Sequence, residues 1–265
     1  MTPLLTIITV TFNAEKLVEE TIQSVLKQTF TDYEYWIIDG GSNDGTLDLI
    51  KNHSEKINWI SEKDDGIYHA MNKGIEKSQG QWLYFLNAGD TLFDENVLKS
   101  IFEKPIPENI ELIYGNIKTK NHPSGSNYTI GNAITLASFY YRIGLCHQAA
   151  FARRTSFEAI GNYRTSEYPI LADQEWFVRF LKSGREACYL NMTVANYEVV
   201  GESFLQRKQN HQDHLKIVKN NFSSPVVWLN IFCSPGVKLK IWLLQKLGDS
   251  TMYKRYRHFF FRDER

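Results

Sequence analysis

The first hundred residues alternate between short apolar, β-branched runs and stretches whose apolar positions recur every three or four residues. Leu4 to Thr11 (Leu-Leu-Thr-Ile-Ile-Thr-Val-Thr) reads as a buried strand. Asn13 follows as a helix cap, and Leu17, Val18, Thr21, Ile22, Val25 and Leu26 then recur at helical spacing. Tyr35 to Ile38 predicts a second strand, stopped by Asp39-Gly40-Gly41-Ser42. A short helix from Thr46 leads to a third strand at Ile57–Ile60. Ile67 to Lys77 predicts a helix with Ile67, Ala70, Met71 and Ile75 on one face. Gln81 to Leu86 is the fourth strand, ending at Asn87-Ala88-Gly89-Asp90.

This alternation predicts βαβ units and a mainly parallel sheet flanked by helices, an α/β fold. In open sheets of that kind ligands bind beyond the carboxyl ends of the strands. Three such ends here are polar and acidic: Asp39-Gly40-Gly41-Ser42, Glu62-Lys63-Asp64-Asp65-Gly66 and Asn87-Ala88-Gly89-Asp90. The middle of the chain is less regular. Ile110 to Tyr114 predicts a strand, and Lys118 to Tyr128 reads as a mobile polar loop. Ala172 to Ser183 predicts a helix with Trp176, Phe177, Phe180 and Leu181 on one face and Asp173 at its start.

Composition narrows the classes. The chain has 265 residues with 30 Lys+Arg and 30 Asp+Glu, so its formal charge is zero. That excludes a basic nucleic-acid coat protein and an acidic disordered chain, and no nucleic-acid partner is expected. Cys146, Cys188 and Cys233 are odd in number and form neither a CxxC nor a zinc spacing, which fits a reducing, cytoplasmic setting. The opening apolar run is a strand rather than a signal peptide, and no window approaches a membrane span. Charge is unevenly placed: residues 206–265 hold 12 Lys+Arg against 4 Asp+Glu. Within that tail Val237, Ile241, Leu244 and Leu247 share a helical face beside Lys238, Lys240 and Lys246, and Phe259-Phe260-Phe261 follows Lys254, Arg255 and Arg257. A basic, aromatic-rich amphipathic segment suits an anionic membrane surface, so a peripheral position on the inner face of the cell membrane is expected. The competing reading packs this helix on the body or on a second copy.

No P-loop, GxGxxG, HExxH or GxSxG motif occurs, which removes the usual warrant for ATPase, dehydrogenase, zinc-protease and serine-hydrolase chemistry. Acid-bearing strand ends suit a nucleotide held by carboxylates with Mg²⁺ or Mn²⁺.

Four segments then stand together: Thr-Val-Thr-Phe-Asn, Ile-Ile-Asp-Gly-Gly-Ser-Asn-Asp-Gly-Thr, Asp-Gly-Ile-Tyr-His-Ala-Met-Asn-Lys-Gly-Ile and Phe-Leu-Asn-Ala-Gly-Asp. In this order they strongly resemble the family 2 glycosyltransferases of bacterial exopolysaccharide, capsule and lipopolysaccharide biosynthesis. The resemblance thins beyond residue 100 but continues through Cys146-His147-Gln148 and Leu171-Ala172-Asp173-Gln174-Glu175. It implies a GT-A fold over residues 1–205, with a nucleotide-sugar-binding half (1–100), an acceptor half (101–205) and a helical extension (206–265). It also implies an inverting, metal-dependent transfer from a nucleotide-sugar, a UDP-sugar by family weight, to a glycan or polyprenyl-linked acceptor.

On the resemblance, Thr11, Phe12 and Asn13 line the base pocket, and Asp39 binds base or ribose. Asp64 lies near the diphosphate, Asn87 bonds ribose or a metal-bound water, and Asp90 holds the metal. Asp173 is the general base, with Glu175 its rival, and His147 contacts acceptor or diphosphate. Two departures stand out. Asn87 and Gly89 replace acids of the usual Asp-x-Asp-Asp metal motif, and His69 stands where Asp is usual. Two other classes compete: a catalytically silent nucleotide-sugar-binding paralogue, and a membrane-associated scaffold subunit of an assembly complex.

Overall fold

In the computed structural model, residues 2–121, 126–139, 144–199 and 207–223 are described. The predicted amphipathic segment from Val237 onward lies outside them. The first part of the chain runs β1 (Leu5–Thr11), α1 (Val18–Leu26), β2 (Tyr33–Asp39), α2 (Thr46–Lys51), β3 (Asn58–Ser61), α3 (Ile67–Lys77) and β4 (Trp82–Phe85). Then follow β5 (Thr91–Leu92), α4 (Val97–Phe102), β6 (Ile110–Lys120), β7 (Thr129–Ile130), β8 (Ala150–Arg153), α5 (Arg154–Ile160), α6 (Ala172–Lys182), β9 (Glu186–Glu198) and α7 (Arg207–Asn221).

The strands form one sheet in the order β3-β2-β1-β4-β8-β6-β9-β5, with β7 paired to β6. β3, β2, β1 and β4 are all parallel. β8 pairs antiparallel to both β4 and β6, and β9 runs parallel to β6. The period-2 alternation of β1 sends Ile8 and Val10 to the face packed by α3 and α6, with Met71 and Trp176. Leu5 and Ile7 go to the opposite face, with Val18 and Ile22 of α1. Both faces are covered, which explains why β1 reads as a continuous apolar run. The structure is thus an α/β fold with a mainly parallel sheet, as the alternation predicts.

Three local expectations are corrected. Asn13 does not cap α1, which begins five residues later at Val18. Asn13 takes a left-handed φ of 47°. Its Oδ1 accepts the Asn43 amide at 2.9 Å, and the neighbouring Ala14 amide donates to Thr46 Oγ1 at 2.8 Å. Bonds to the loop after β2 have replaced capping. Lys118–Lys120 is strand, not loop, because it pairs with Asn196–Glu198 of β9, and Thr119 and Tyr128 are buried. Asp173 lies inside the first turn of α6, while the cap position is Leu171, which makes no side-chain cap bond.

Candidate active site

The register places Thr11, Asp39 and Ser61 side by side at the ends of β1, β2 and β3. Asp39 is fully buried. Its carboxylate accepts the amides of Gly41 and Ser42 at 3.0 and 2.9 Å, the Ser61 hydroxyl at 2.7 Å, and the Ser42 hydroxyl. These bonds satisfy a buried charge and fix the turn. Gly41 has φ 84°, a conformation that favours glycine. The turn in turn holds the β1 loop: Ser42 Oγ accepts the Asn13 amide at 2.8 Å. Both oxygens of Asp39 are thus occupied. Phe12, the residue after β1, is 62% exposed. Asp64 sits against Gly40, where a Cβ would come within 2.7 Å of its Oδ2. Its Oδ1 accepts the Gly66 amide at 2.9 Å. His69 Nδ1 accepts the Asp65 amide at 3.0 Å, an acceptor role that Asp would also fill, which accounts for that departure.

Beyond β4 the chain continues alongside β1, with the Ala88 amide donating to Val10 O. Thr21 of α1 clasps the next turn: its hydroxyl donates to Asp90 O at 2.7 Å and accepts the Gly89 amide at 2.9 Å. Gly89 has φ 101°, so an acid there would be strained. Asp90 is buried, and it accepts Gln148 Nε2 at 2.9 Å and the Glu198 amide at 2.8 Å. Burial pushes its carboxyl up to about 6, against the opposing pull of those two donors.

The later part of the chain supplies the remaining groups. His147 sits on a short 3₁₀ turn, His147–Ala149, between β7 and β8. Its Nδ1 lies 3.0 Å from Asp173 Oδ2, and its Nε2 lies 3.0 Å from Asn87 Nδ2. The carboxylate requires a proton on Nδ1, so the hydrogen-bond network assigns Nε2 as acceptor from Asn87. Tyr68 of α3 donates to Asp173 Oδ1 at 2.7 Å and to Ile170 O at 3.0 Å. Burial and the Asp173 charge raise the Tyr68 hydroxyl well above its ordinary range, so it stays protonated as a donor. Gln174 adds its amide at 2.8 Å and its Nε2 at 3.1 Å. One hydrogen-bonded chain therefore runs Asn87–His147–Asp173–Tyr68, from the end of β4 to the start of α6.

Two buried side-chain oxygens of this region lack a partner among the described residues: Thr11 Oγ1 and Asn87 Oδ1. Orphaned polar atoms at strand ends are what a polar ligand would satisfy. Glu175, the rival base, is committed elsewhere. It is 1% exposed and accepts Arg179 Nε through both oxygens at 2.9 Å. His147 is buried between two protein partners, so it links groups rather than presenting a bare nitrogen.

Sequence reasoning did not single out Tyr68, Ser61, Thr21 or Gln148 as site residues. Gln148 was legible as the neighbour of His147. The others required the tertiary register.

For Mg²⁺ or Mn²⁺ the donors are one carboxylate, Asp90, with the partnerless Asn87 Oδ1 nearby in sequence. No cluster of three or more His, Cys, Asp or Glu capable of holding a metal occurs among the described residues. This set fits an ion held by one carboxylate and completed by substrate phosphates, and does not fit an all-protein cage.

The family model described as glycosyl transferase family 2 matches residues 6–161. The chain belongs to that family. A PGL/p-HBAD biosynthesis glycosyltransferase of Mycobacterium bovis (strain BCG / Pasteur 1173P2) is 32% identical over 219 residues, 77% of this chain and 84% of the relative. Among solved structures, S. aureus TarS 1-349 in complex with UDP-GlcNAc superposes with TM-score 0.65 and 18% identity, covering 85% of this chain and 66% of that one. The chain spans 39% of the longer TarS chain. The mannosyltransferase PcManGT from Pyrobaculum calidifontis, in complex with GDP-Man and Mn²⁺, gives TM-score 0.66 and 16% identity over 86% of this chain and 68% of that one. No helix among the described residues is long and apolar enough to cross a membrane.

Proposed function

We propose that this family 2 glycosyltransferase is an inverting enzyme of cell-surface glycan synthesis. It moves a sugar from a nucleoside diphosphate donor to a glycan or lipid-linked acceptor hydroxyl. The carrying observation is the chain Asn87–His147–Asp173, which joins the donor-side strand ends to a buried carboxylate across the sheet. The mycobacterial relative's name in PGL/p-HBAD biosynthesis supports the surface-glycan setting. A uridine diphosphate sugar is the donor of choice, in line with the UDP-GlcNAc carried by one structural neighbour.

In this reading Phe12 and Thr11 meet the base and ribose, on a floor shaped by Asp39 and Asn13. Asp64 borders the diphosphate. The acceptor oxygen bonds to the anomeric carbon as the bond from that carbon to the diphosphate oxygen breaks. The bonding pair leaves with the nucleoside diphosphate, and the acceptor's proton goes to Asp173. Attack from the face opposite the diphosphate inverts the centre. Asp173 already receives two donors on each oxygen, so the hydroxyl displaces one, and the Gln174 Nε2 contact at 3.1 Å is the longest of the four. His147 Nδ1–H and Tyr68 O–H hold the carboxylate in place. Asp90 and the donor diphosphate would share Mn²⁺ or Mg²⁺, which as a Lewis acid stabilises the charge on the leaving group. The test is a panel of UDP-, GDP- and dTDP-sugars incubated with purified protein, Mn²⁺ and a bacterial lipid extract containing lipid-linked glycans as acceptor, scored for sugar transfer. Transfer with inversion from one donor supports the reading. A folded protein that binds nucleoside diphosphates yet transfers from none refutes it.

A further inference from the structure

The turn that carries Asp173 is held by a residue forty positions away, in the helical extension. Leu171 makes no side-chain cap bond at the start of α6. The amides of Ile170 and Leu171 donate instead to one oxygen of Asp213 on α7, at 2.8 and 3.1 Å. Asp213 is 2% exposed, and its other oxygen accepts Gln209 Nε2 at 2.8 Å. The same residue, Ile170, offers its carbonyl to the Tyr68 hydroxyl that also donates to Asp173. Further bonds seat α7 on the segment before α6: Lys216 Nζ to Glu167 O at 3.0 Å and Asn220 Nδ2 to Tyr168 Oη at 3.0 Å. Ile217 is buried in the core shared with Trp176.

We infer that Asp213 is a positioning residue for sugar transfer. From the C-terminal extension it anchors the two residues that lead into α6, and through Ile170 and Tyr68 it sets the placement of Asp173. A buried carboxylate bonded to two backbone amides fixes the path of the chain at that point, here the entry into the helix. The extension is therefore part of the catalytic body at least through α7, and whatever engages the chain beyond it acts on a helix already wired to the base. This inference rests on Asp173 being the base.

The experiment compares wild type, Asp213→Ala and Asp213→Asn by three readouts. They are kcat and donor KM, amide hydrogen exchange over residues 168–176, and the His147 Nδ1–H resonance. Asp213→Ala should speed exchange at residues 170–171 and shift the His147 proton. It should lower kcat about 10- to 100-fold, as displacement by an ångström does, with donor KM held within about twofold. Asp213→Asn keeps an accepting oxygen and should recover most of kcat. Unchanged kcat and an unmoved His147 proton in Asp213→Ala would overturn the inference. So would a parallel loss of donor binding with chain-wide loss of protection, which marks a general packing role. If wild type transfers no sugar, the proposed function fails. The exchange and the His147 resonance still judge the positioning claim, and no change in either would overturn it.

Discussion

At the carboxyl ends of β1 and β4, two buried oxygens, Thr11 Oγ1 and Asn87 Oδ1, have no partner among the described residues. At the start of α6, both oxygens of Asp173 carry two donors each. The strand-end region keeps unmet hydrogen-bonding capacity beside short-range bonds, such as Asp39 to the amides two and three residues on. The Asp173 region is saturated, and it is assembled from the adjacent Gln174 and three distant places: Tyr68, His147 and, through Ile170, Asp213. The first region can take up a polar ligand atom without giving up a bond. In the second, any new partner of Asp173 must displace an existing donor.

The comparison breaks most visibly at its bridge. His147→Ala removes the link between the halves and should lower transfer by about two to three orders of magnitude, while nucleoside diphosphate affinity holds within a few-fold. Steady-state kinetics beside calorimetric titration reads both. A matching loss of nucleotide affinity would mean that His147 serves the donor side instead.

The floor comes next. Asp39→Ala leaves the amides of Gly41 and Ser42 and two hydroxyls without their acceptor, and should cost about 3 kcal/mol in urea unfolding. A loss below ~1 kcal/mol would show that the turn holds without its carboxylate.

Asp90 sharpens the comparison through pH. Its folded carboxyl sits at about 6, above the ordinary value of 3.8. Its contribution to stability is therefore complete below about pH 4 and is lost as pH rises through 6. The stability of wild type relative to Asp90→Asn should fall by about 2–3 kcal/mol between pH 4 and pH 7. Mn²⁺ with a nucleoside diphosphate should restore part of it. A difference independent of pH would mean that Asp90 is ionised without penalty.

The smallest effect belongs to Thr11. Thr11→Val replaces an unpartnered hydroxyl by a methyl group, so the free protein should lose no stability. Donor affinity should fall by up to about tenfold, or 1.4 kcal/mol. Unaltered affinity would remove Thr11 from the pocket.

Much of the strand-end region was legible in the chain because its parts are contiguous. A strand runs directly into a polar segment at Val10–Asn13, Ile38–Ser42 and Leu86–Asp90, and the parallel sheet follows from strand–helix alternation. The Asp173 region was harder for physical reasons. β8 has four residues, and β9 has partly buried positions without clean alternation, so neither carries a local signature. Lys118–Lys120 read as loop because its polar residues become strand only through β9. Asp173 and His147 were recognisable, but their 3.0 Å contact joins positions 26 residues apart that only the packing of α6 on the sheet brings together. Tyr68 and Asp213 are ordinary on their own helices and matter only for where their oxygens reach.

The most direct measurement of the central claim is Asp173→Asn, assayed in parallel for sugar transfer and for nucleoside diphosphate affinity with Mn²⁺. The expected result is transfer reduced by about 10²- to 10⁴-fold with affinity unchanged, the signature of a base that acts on the acceptor alone. Transfer persisting near the wild-type rate would contradict it and remove the proton-accepting role from the start of α6.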